Sequence, residues 1–131
     1  MTSSSQIWVR TSFFHIEQGE DELTNPGRYG RAFSHWLAEQ LKTRGEEVQE
    51  VLPEDWGWCV MLARKPYMLW VGCGNRNGVT DEWGAFVTAE PSLLQKLFSR
   101  TDSESTVNRI HKTLNEIMQH VPEFEKVWIE E

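Results

Sequence analysis

The chain lacks the short motifs by which many metal and nucleotide sites are recognised. It contains no Cys-x-x-Cys pair and no two histidines at helical spacing, the arrangements that zinc sites commonly use. The three glycines within residues 72–78 miss the G-x-G-x-x-G spacing, and they lead toward another strand rather than into a helix that could hold a phosphate. A wide hairpin loop explains them; the alternative is a ligand-facing loop in which Gly72 and Gly74 let another backbone or a ligand approach closely. We therefore expect no cofactor, no metal site and no identifiable catalytic residue.

Cysteine is also scarce. Cys59 and Cys73 are the only two, and both lie among apolar residues or glycines, which indicates buried thiols in a reducing compartment. The Met-Thr-Ser-Ser-Ser start has no basic region followed by an apolar core, so it does not resemble a secretory signal and we expect a cytoplasmic protein. Two alternatives stay open: a disulfide between the two cysteines, and a thiol nucleophile beside His15 or His111.

Positive charge and long apolar runs are missing as well. The 20 acidic residues outnumber the 13 lysines and arginines, for a net charge of −7, and this argues against general binding of nucleic acid. No apolar run approaches the roughly 20 residues that a membrane span needs. Acidic residues cluster within residues 17–22, 46–55 and 123–131, and acidic surface of this kind steers basic partners toward a protein.

What the chain does have is tryptophan, with seven in 131 residues and four of them from Trp56 to Trp83. Hydrophobic residues at 39% and charged residues at 25% are typical of a globular protein, and the length favours a single domain over residues 1–131. Tryptophan buries a large area at low entropic cost, so it serves both cores and binding surfaces.

The hydrophobic patterns predict an α+β fold in two layers, a mainly antiparallel sheet of about five to six strands against two to three helices. The expected order is β-α-β-β-β-β-α-α-β. We expect strands at residues 6–16, 48–51, 58–63, 67–73, 83–88 and 126–130, and helices at 26–44, from Pro91 through Phe98, and around 107–121. The link 64–66 predicts an antiparallel hairpin, and Pro53 is expected to end the short second strand.

Strands 58–63 and 67–73 are apolar on both alternating faces, which is typical of strands covered on both sides. Helices packed on one side of the sheet would leave aromatic surface on the other. A second copy of the chain could cover that surface, so a homodimer is one expectation.

The first predicted helix also carries a basic face. At 100° per residue, Arg28, Arg31, His35 and Lys42 lie opposite the apolar arc. This pattern fits the solvated side of an amphipathic helix, a contact surface for an acidic partner, or pairing with one of the acidic clusters.

The main candidate binding surface surrounds Trp56. If Trp56 and Trp83 lie at the same end of the sheet, they form an aromatic pocket rimmed by carboxylates, which suits a cationic group or a sugar face. The candidate residues are Asp55, Trp56, Asn75, Arg76, Asp81, Glu82 and Trp83.

These patterns favour a non-catalytic protein that recognises a partner protein through an acidic and tryptophan-rich surface, as immunity proteins, chaperones and adaptors do, and a basic partner is one expectation. A small-molecule-binding domain with a tryptophan-lined pocket is the alternative. An enzyme that depends on Cys73 or on clustered carboxylates is a third hypothesis.

Overall fold

The computed structural model describes residues 1–90 and 100–131. Its strands are β1 (Thr2–Ser3), β2 (Gln6–Arg10), β3 (Glu50–Glu54), β4 (Gly57–Ala63), β5 (Met68–Asn75), β6 (Glu82–Glu90) and β7 (Lys126–Glu130). Its helices are α1 (Arg31–Thr43) and α2 (Arg100–Gln119), with a single 3-10 turn at Glu20–Glu22. The predicted helical segment that begins at Pro91, with Leu93, Leu94, Leu97 and Phe98, lies outside the described residues.

All the strands join one antiparallel sheet. Its order is β3-β4-β5-β6-β2-β7. The short β1 also pairs with β6, where Thr2 and Ser3 lie opposite Ala89 and Thr88. The α+β class, the antiparallel pairing and the order of helices and strands confirm the prediction from sequence. Neither of the helices in the described part of the chain is long and apolar enough to cross a membrane.

Both helices pack on the same face of the sheet, which we call the helix face. This face presents the odd-numbered residues of β2, β5 and β6 and the even-numbered residues of β4, together with the buried sides of α1 and α2. The core includes Ile7, Val9, Phe33, Leu37, Val60, Val71, Trp83, Val87, Ile110, Leu114 and Met118. No helix in residues 1–90 or 100–131 lies on the opposite side, which we call the open face.

The first and second predicted strands, 6–16 and 48–51, have different bounds in the structure. β2 ends at Arg10, because the Thr11 hydroxyl donates to the carbonyl of Glu123 and accepts the N–H of Phe13, which turns the chain away from the sheet. β3 continues through Pro53 instead of ending there. Proline is tolerated at this position because β3 is an edge strand.

The predicted start of α1 at Pro26 is wrong. Residues 26–30 form a loop across the strand ends, with Gly27 at φ +80°. Asn75 holds this loop: its Oδ1 accepts the N–H of Tyr29 at 2.9 Å, and its Nδ2 donates to the carbonyl of Gly27 at 3.0 Å. Arg28 therefore does not belong to the helix.

The side chain of a glutamate that precedes α1 in the sequence stabilises the start of this helix. Glu20 is only 4% exposed, and its carboxylate accepts the N–H groups of Gly30 and Arg31 at 3.1 and 3.2 Å and that of Glu17 at 2.9 Å. These bonds satisfy amides that a helix start leaves without partners, and the carboxylate also lies at the positive end of the helix dipole.

Candidate functional site

The open face carries a cluster of aromatic rings. Trp56, in the turn between β3 and β4, folds back over the sheet so that its ring centroid lies 5.5 Å from that of Trp70 and 6.2 Å from that of Phe86. Trp70 and Phe86 are 5.8 Å apart. Trp8 and Trp128, a cross-strand pair of β2 and β7, extend the aromatic surface toward the other edge. The open face is thus apolar although no helix of the described residues covers it.

Glycines beneath the rings make this arrangement possible. A Cβ on Gly72 would lie 2.5 Å from Cζ of Phe86 and 3.1 Å from Cη2 of Trp56. The loop of residues 26–30 crosses near Gly74, where a Cβ would be 3.2 Å from the carbonyl oxygen of Tyr29. Both glycines thus lie within β5 and not in a loop, and only Gly74 is approached by another backbone, whereas Gly72 is approached by the rings of Phe86 and Trp56.

Two hollows flank Trp56 on the open face. The larger, about 220 Å³, is the acidic groove, lined chiefly by Glu54, Trp56, Met61, Met68, Trp70 and Glu90. The smaller, about 60 Å³, is the arginine groove, lined chiefly by Gln6, Trp8, Arg28, Trp56, Gly74 and Phe86. Trp56 is the wall that the two hollows share.

The acidic groove combines exposed apolar surface with negative charge. Trp56 is 37% exposed and Met68 38%, so part of the apolar wall is open to solvent. Neither Glu54 nor Glu90 forms an ion pair with another residue whose side chain the structure describes. The groove therefore presents both an apolar wall and free carboxylates.

The carboxylates farther along the sheet are already engaged. Arg76 pairs with Glu82 at 2.8 Å and with Glu130 at 2.6 Å, and its guanidinium lies 4.1 Å from the ring centroid of Trp8. Arg10 pairs with the second oxygen of Glu82 at 3.0 Å. Hydrogen bonds from Arg76 and Arg10 lower the pKa of Glu82. This network fixes the rings on the open face and leaves those carboxylates little capacity for a ligand.

The predicted pocket between Trp56 and Trp83 is wrong. Both residues lie at the same end of the sheet, but Trp83 is 1% exposed and packs against Phe14 and Phe33 on the helix face, whereas Trp56 lies on the open face. The signal was present in the sequence, because Ala85 and Val87 follow Trp83 at the spacing of one strand face.

The other predicted site residues divide into two groups. Asp55 and Asp81 are exposed at the same end of the sheet as Trp56, where a partner could reach them. Asn75 is fully buried, and its side-chain bonds hold the loop before α1 and the carbonyl of Val79, so its role is structural. Arg76 and Glu82 belong to the ion-pair network described above.

The predicted basic face of the first helix is reduced to three residues. Arg31, His35 and Lys42 are exposed on α1, whereas Arg28 lies in the preceding loop and reaches the open face. Arg31 pairs with Glu17 at 3.9 Å and Lys42 with Glu39 at 3.3 Å. Pairing with an acidic cluster, one of the three interpretations of this face, is therefore observed for Arg31.

The two cysteines lie on opposite faces of the sheet. Cys73 is in the core, Cys59 is on the open face, and both are free thiols. Burial and then the Glu54 carboxylate raise the pKa of Cys59 to about 12, and burial also raises the pKa of Cys73. The disulfide is therefore not formed. A thiol that stays protonated is a poor nucleophile, so this geometry does not favour cysteine catalysis.

A third hollow lies beside the start of α1. It measures about 290 Å³ and is lined by His15, Glu17, Glu20, Arg31 and His35. Glu20 is committed to the helix amides. Nowhere in the described part of the chain do three or more histidine, cysteine or acidic side chains form a group that could hold a metal ion.

Several residues of the open face were missed from the sequence: Trp8, Glu54, Met68, Trp70 and Glu90. Met68 and Trp70 share a strand face by simple alternation, which could have been read from the sequence. Their proximity to Trp56 depends on a turn that folds back over β5, and no local pattern encodes that.

Comparison of the chain with protein-family models, with curated proteins and with solved structures finds no match. The function is therefore argued from the geometry of the open face.

Proposed function

We propose that this chain is a small cytoplasmic, non-catalytic protein that binds another protein, and that the acidic groove receives a basic side chain of that partner. The observation that carries the proposal is the position of Glu54 and Glu90 beside exposed Trp56 and Met68. Compared with the surface expected from the sequence, the proposed binding surface still includes Trp56 but does not include Trp83.

The chemistry of the groove fits a lysine or arginine. The aliphatic stem of such a side chain packs on methionine and tryptophan, while its charged end binds one of the two carboxylates, Glu54 beside Trp56 or Glu90 beside Met68. Charge-assisted hydrogen bonds shielded by apolar walls are among the stronger polar contacts in proteins. The net charge of −7 also attracts a basic partner over a distance.

The size of the grooves favours side chains over a separate small molecule. Pockets that enclose drug-sized ligands typically measure about 300–1,000 Å³. The acidic groove has about 220 Å³ and the arginine groove about 60 Å³. Each hollow suits one or two side chains of a partner.

The two cysteines support the two remaining parts of the proposal, the non-catalytic role and the cytoplasmic location. Protonated, buried cysteines suit a binding protein better than a cysteine enzyme, and free thiols suit a reducing compartment. A second copy of the chain is the competing occupant of the open face. A dimer that buries Trp56 would exclude the partner. Sedimentation at micromolar concentration tests for such a dimer.

A display library of folded scaffolds with one randomised loop tests the proposed function. Selection on the wild-type protein is expected to enrich lysine and arginine in the loops. The double variant Glu54→Gln/Glu90→Gln should lose that enrichment, because it removes the charges and keeps the shape of the groove. A double variant Glu47→Gln/Glu125→Gln is the matched control, since it makes the same change in net charge at exposed positions elsewhere.

The proposal is wrong if the wild type selects no basic residues. It is also wrong if the groove variant and the control variant select the same sequences. Unfolding curves of all three proteins establish that the variants are folded before selection.

A further inference from the structure

Arg28 differs from the other arginines of the described structure. Six arginines form an ion pair with a glutamate: Arg10, Arg31, Arg44, Arg64, Arg76 and Arg109. Arg28 is the one arginine with a described side chain that has no such pair. Its Nε–H donates to the backbone carbonyl of Trp56 at 2.7 Å. A guanidinium carries five N–H donors, so this bond leaves most of them free.

The surroundings of Arg28 exclude part of its water, and no carboxylate of the described residues forms an ion pair with it. Its Nη2 lies over the sheet, 3.6 Å from the position of a Cβ on Gly74 and 3.8 Å from that on Gly57. Partial burial lowers the pKa of the guanidinium, and no carboxylate opposes this effect. A partly buried cation without an ion pair, next to aromatic walls, is stabilised by an anion that binds beside it.

The shape of the arginine groove limits what that anion can be. A water molecule needs about 10–15 Å³ of such space, so the groove's volume of about 60 Å³ holds a few waters or a group of that size. A carboxylate fits, and its two oxygens match the paired N–H groups of a guanidinium. The walls formed by Trp8, Trp56 and Phe86 shield such a contact from solvent.

We infer that the arginine groove binds an aspartate or glutamate side chain of the same partner whose basic side chain enters the acidic groove. The inference rests on the proposed function, because the two grooves share Trp56 as a wall. The recognised segment then carries opposite charges on either side of the Trp56 indole. Such a pair also fixes the direction in which the segment lies on the sheet.

The loop selection described above also tests this inference. Loops selected on the wild type are expected to contain an acidic residue at a fixed spacing from the basic one. Arg28→Gln should lose the acidic preference and keep the basic one. Arg44→Gln is the matched control, because it removes an arginine on the other side of the molecule that pairs with Glu116.

An amidated synthetic peptide from the best loop gives the quantitative arm. Changing its acidic residue to the amide is expected to weaken binding to the wild type about tenfold or more, as for charge-assisted hydrogen bonds in shielded sites. The same change should have little effect on binding to Arg28→Gln. Because the first measurement uses only the wild type, it holds even where the variant is unstable.

The possible outcomes separate the two proposals. Basic enrichment without acidic enrichment, or equal weakening in the wild type and Arg28→Gln, overturns the inference and leaves the acidic groove intact. If the amidated peptide does not bind but the same peptide with a free C-terminal carboxylate does, the assignment of the anion to a side chain is overturned. If loops selected on the wild type are enriched in neither basic nor acidic residues, the proposed function and the inference are both overturned.

Discussion

The indole of Trp8 lies directly over Gly84 of the neighbouring strand. Three atoms of its ring are 2.8 Å from the position that a Cβ would take on residue 84, and the two residues are cross-strand partners. The same ring is covered on its other side by the guanidinium of Arg76, 4.1 Å from the ring centroid. Glycine is required at position 84 for space, since any side chain there would displace the indole.

Gly84→Ala is expected to lower the free energy of unfolding by about 1–3 kcal/mol, the usual cost of forcing an extra methyl group into a packed site. Denaturant unfolding measures this loss. In a Trp8→Leu background the same change should cost less, because the smaller side chain leaves room. An equal cost in both backgrounds would show that the contact with Trp8 is not the cause.

The two tryptophans at the same end of the sheet should differ sharply in their contribution to stability. Trp83→Ala removes a side chain that is 1% exposed, and we expect a loss of about 3–5 kcal/mol. Trp56→Ala removes a ring that is 37% exposed, and the loss should be about 1 kcal/mol. Thermal or denaturant unfolding of each variant gives the comparison, and similar losses would contradict the placement of Trp56 on the open face.

Glu20→Ala is expected to destabilise the protein by about 2 kcal/mol, because the N–H groups of Gly30 and Arg31 at the start of α1 and that of Glu17 lose their acceptor. Glu20→Gln keeps one acceptor oxygen and should cost less. Glu22→Ala is the control, since Glu22 is an exposed glutamate of the same 3-10 turn. If the two alanine variants unfold alike, Glu20 does not stabilise the helix start.

The thiols predict a loss of stability at alkaline pH. The pKa of Cys59 is raised from 9.0 to about 12, so between these values the unfolded chain loses a proton that the folded protein keeps. Stability is then unaffected below pH 9 and falls as the pH rises toward 12. Cys59→Ala should show a shallower fall than the wild type, which isolates this thiol from other groups that titrate there. Parallel curves would mean that Cys59 is not shielded.

The lowered pKa of Glu82 predicts a loss of stability at acidic pH. Its pKa is held below the ordinary value of 4.5 by hydrogen bonds from Arg76 and Arg10, so its stabilising effect is present above that pH and is lost as the pH falls through the lowered value. The variant Glu82→Gln should lose less stability on acidification than the wild type. Chemical unfolding at several acidic pH values makes the comparison, and identical slopes would exclude a contribution from this network.

Much of the fold could be predicted from the sequence because the relevant signals are local. The bounds of β7 were predicted as observed, and β4 and β5 were placed within about two residues because alternation and a short link define a hairpin. The start of α1 was not predictable in this way. Asn25 and Pro26 form a good helix start locally, but bonds from Asn75 and Glu20 hold residues 27–30 in a loop.

The candidate site was predictable only in part. The exposed ring of Trp56 and the nearby negative charge were expected from the sequence, whereas the contributing carboxylates, Glu54 and Glu90, belong to strands that only the sheet order brings to one groove. Arg28 was assigned to a helix face, and the loop places it on the opposite side of the sheet.

The α+β class, the antiparallel hairpins and the richness in tryptophan and acid follow from composition and from patterns of a few residues, so they could be predicted before the fold was known. Which indole is buried and which is exposed depends on packing between distant segments. A turn residue such as Trp56 has no fixed strand face, so its position depends on Gly72, which leaves room for the rings of Trp56 and Phe86.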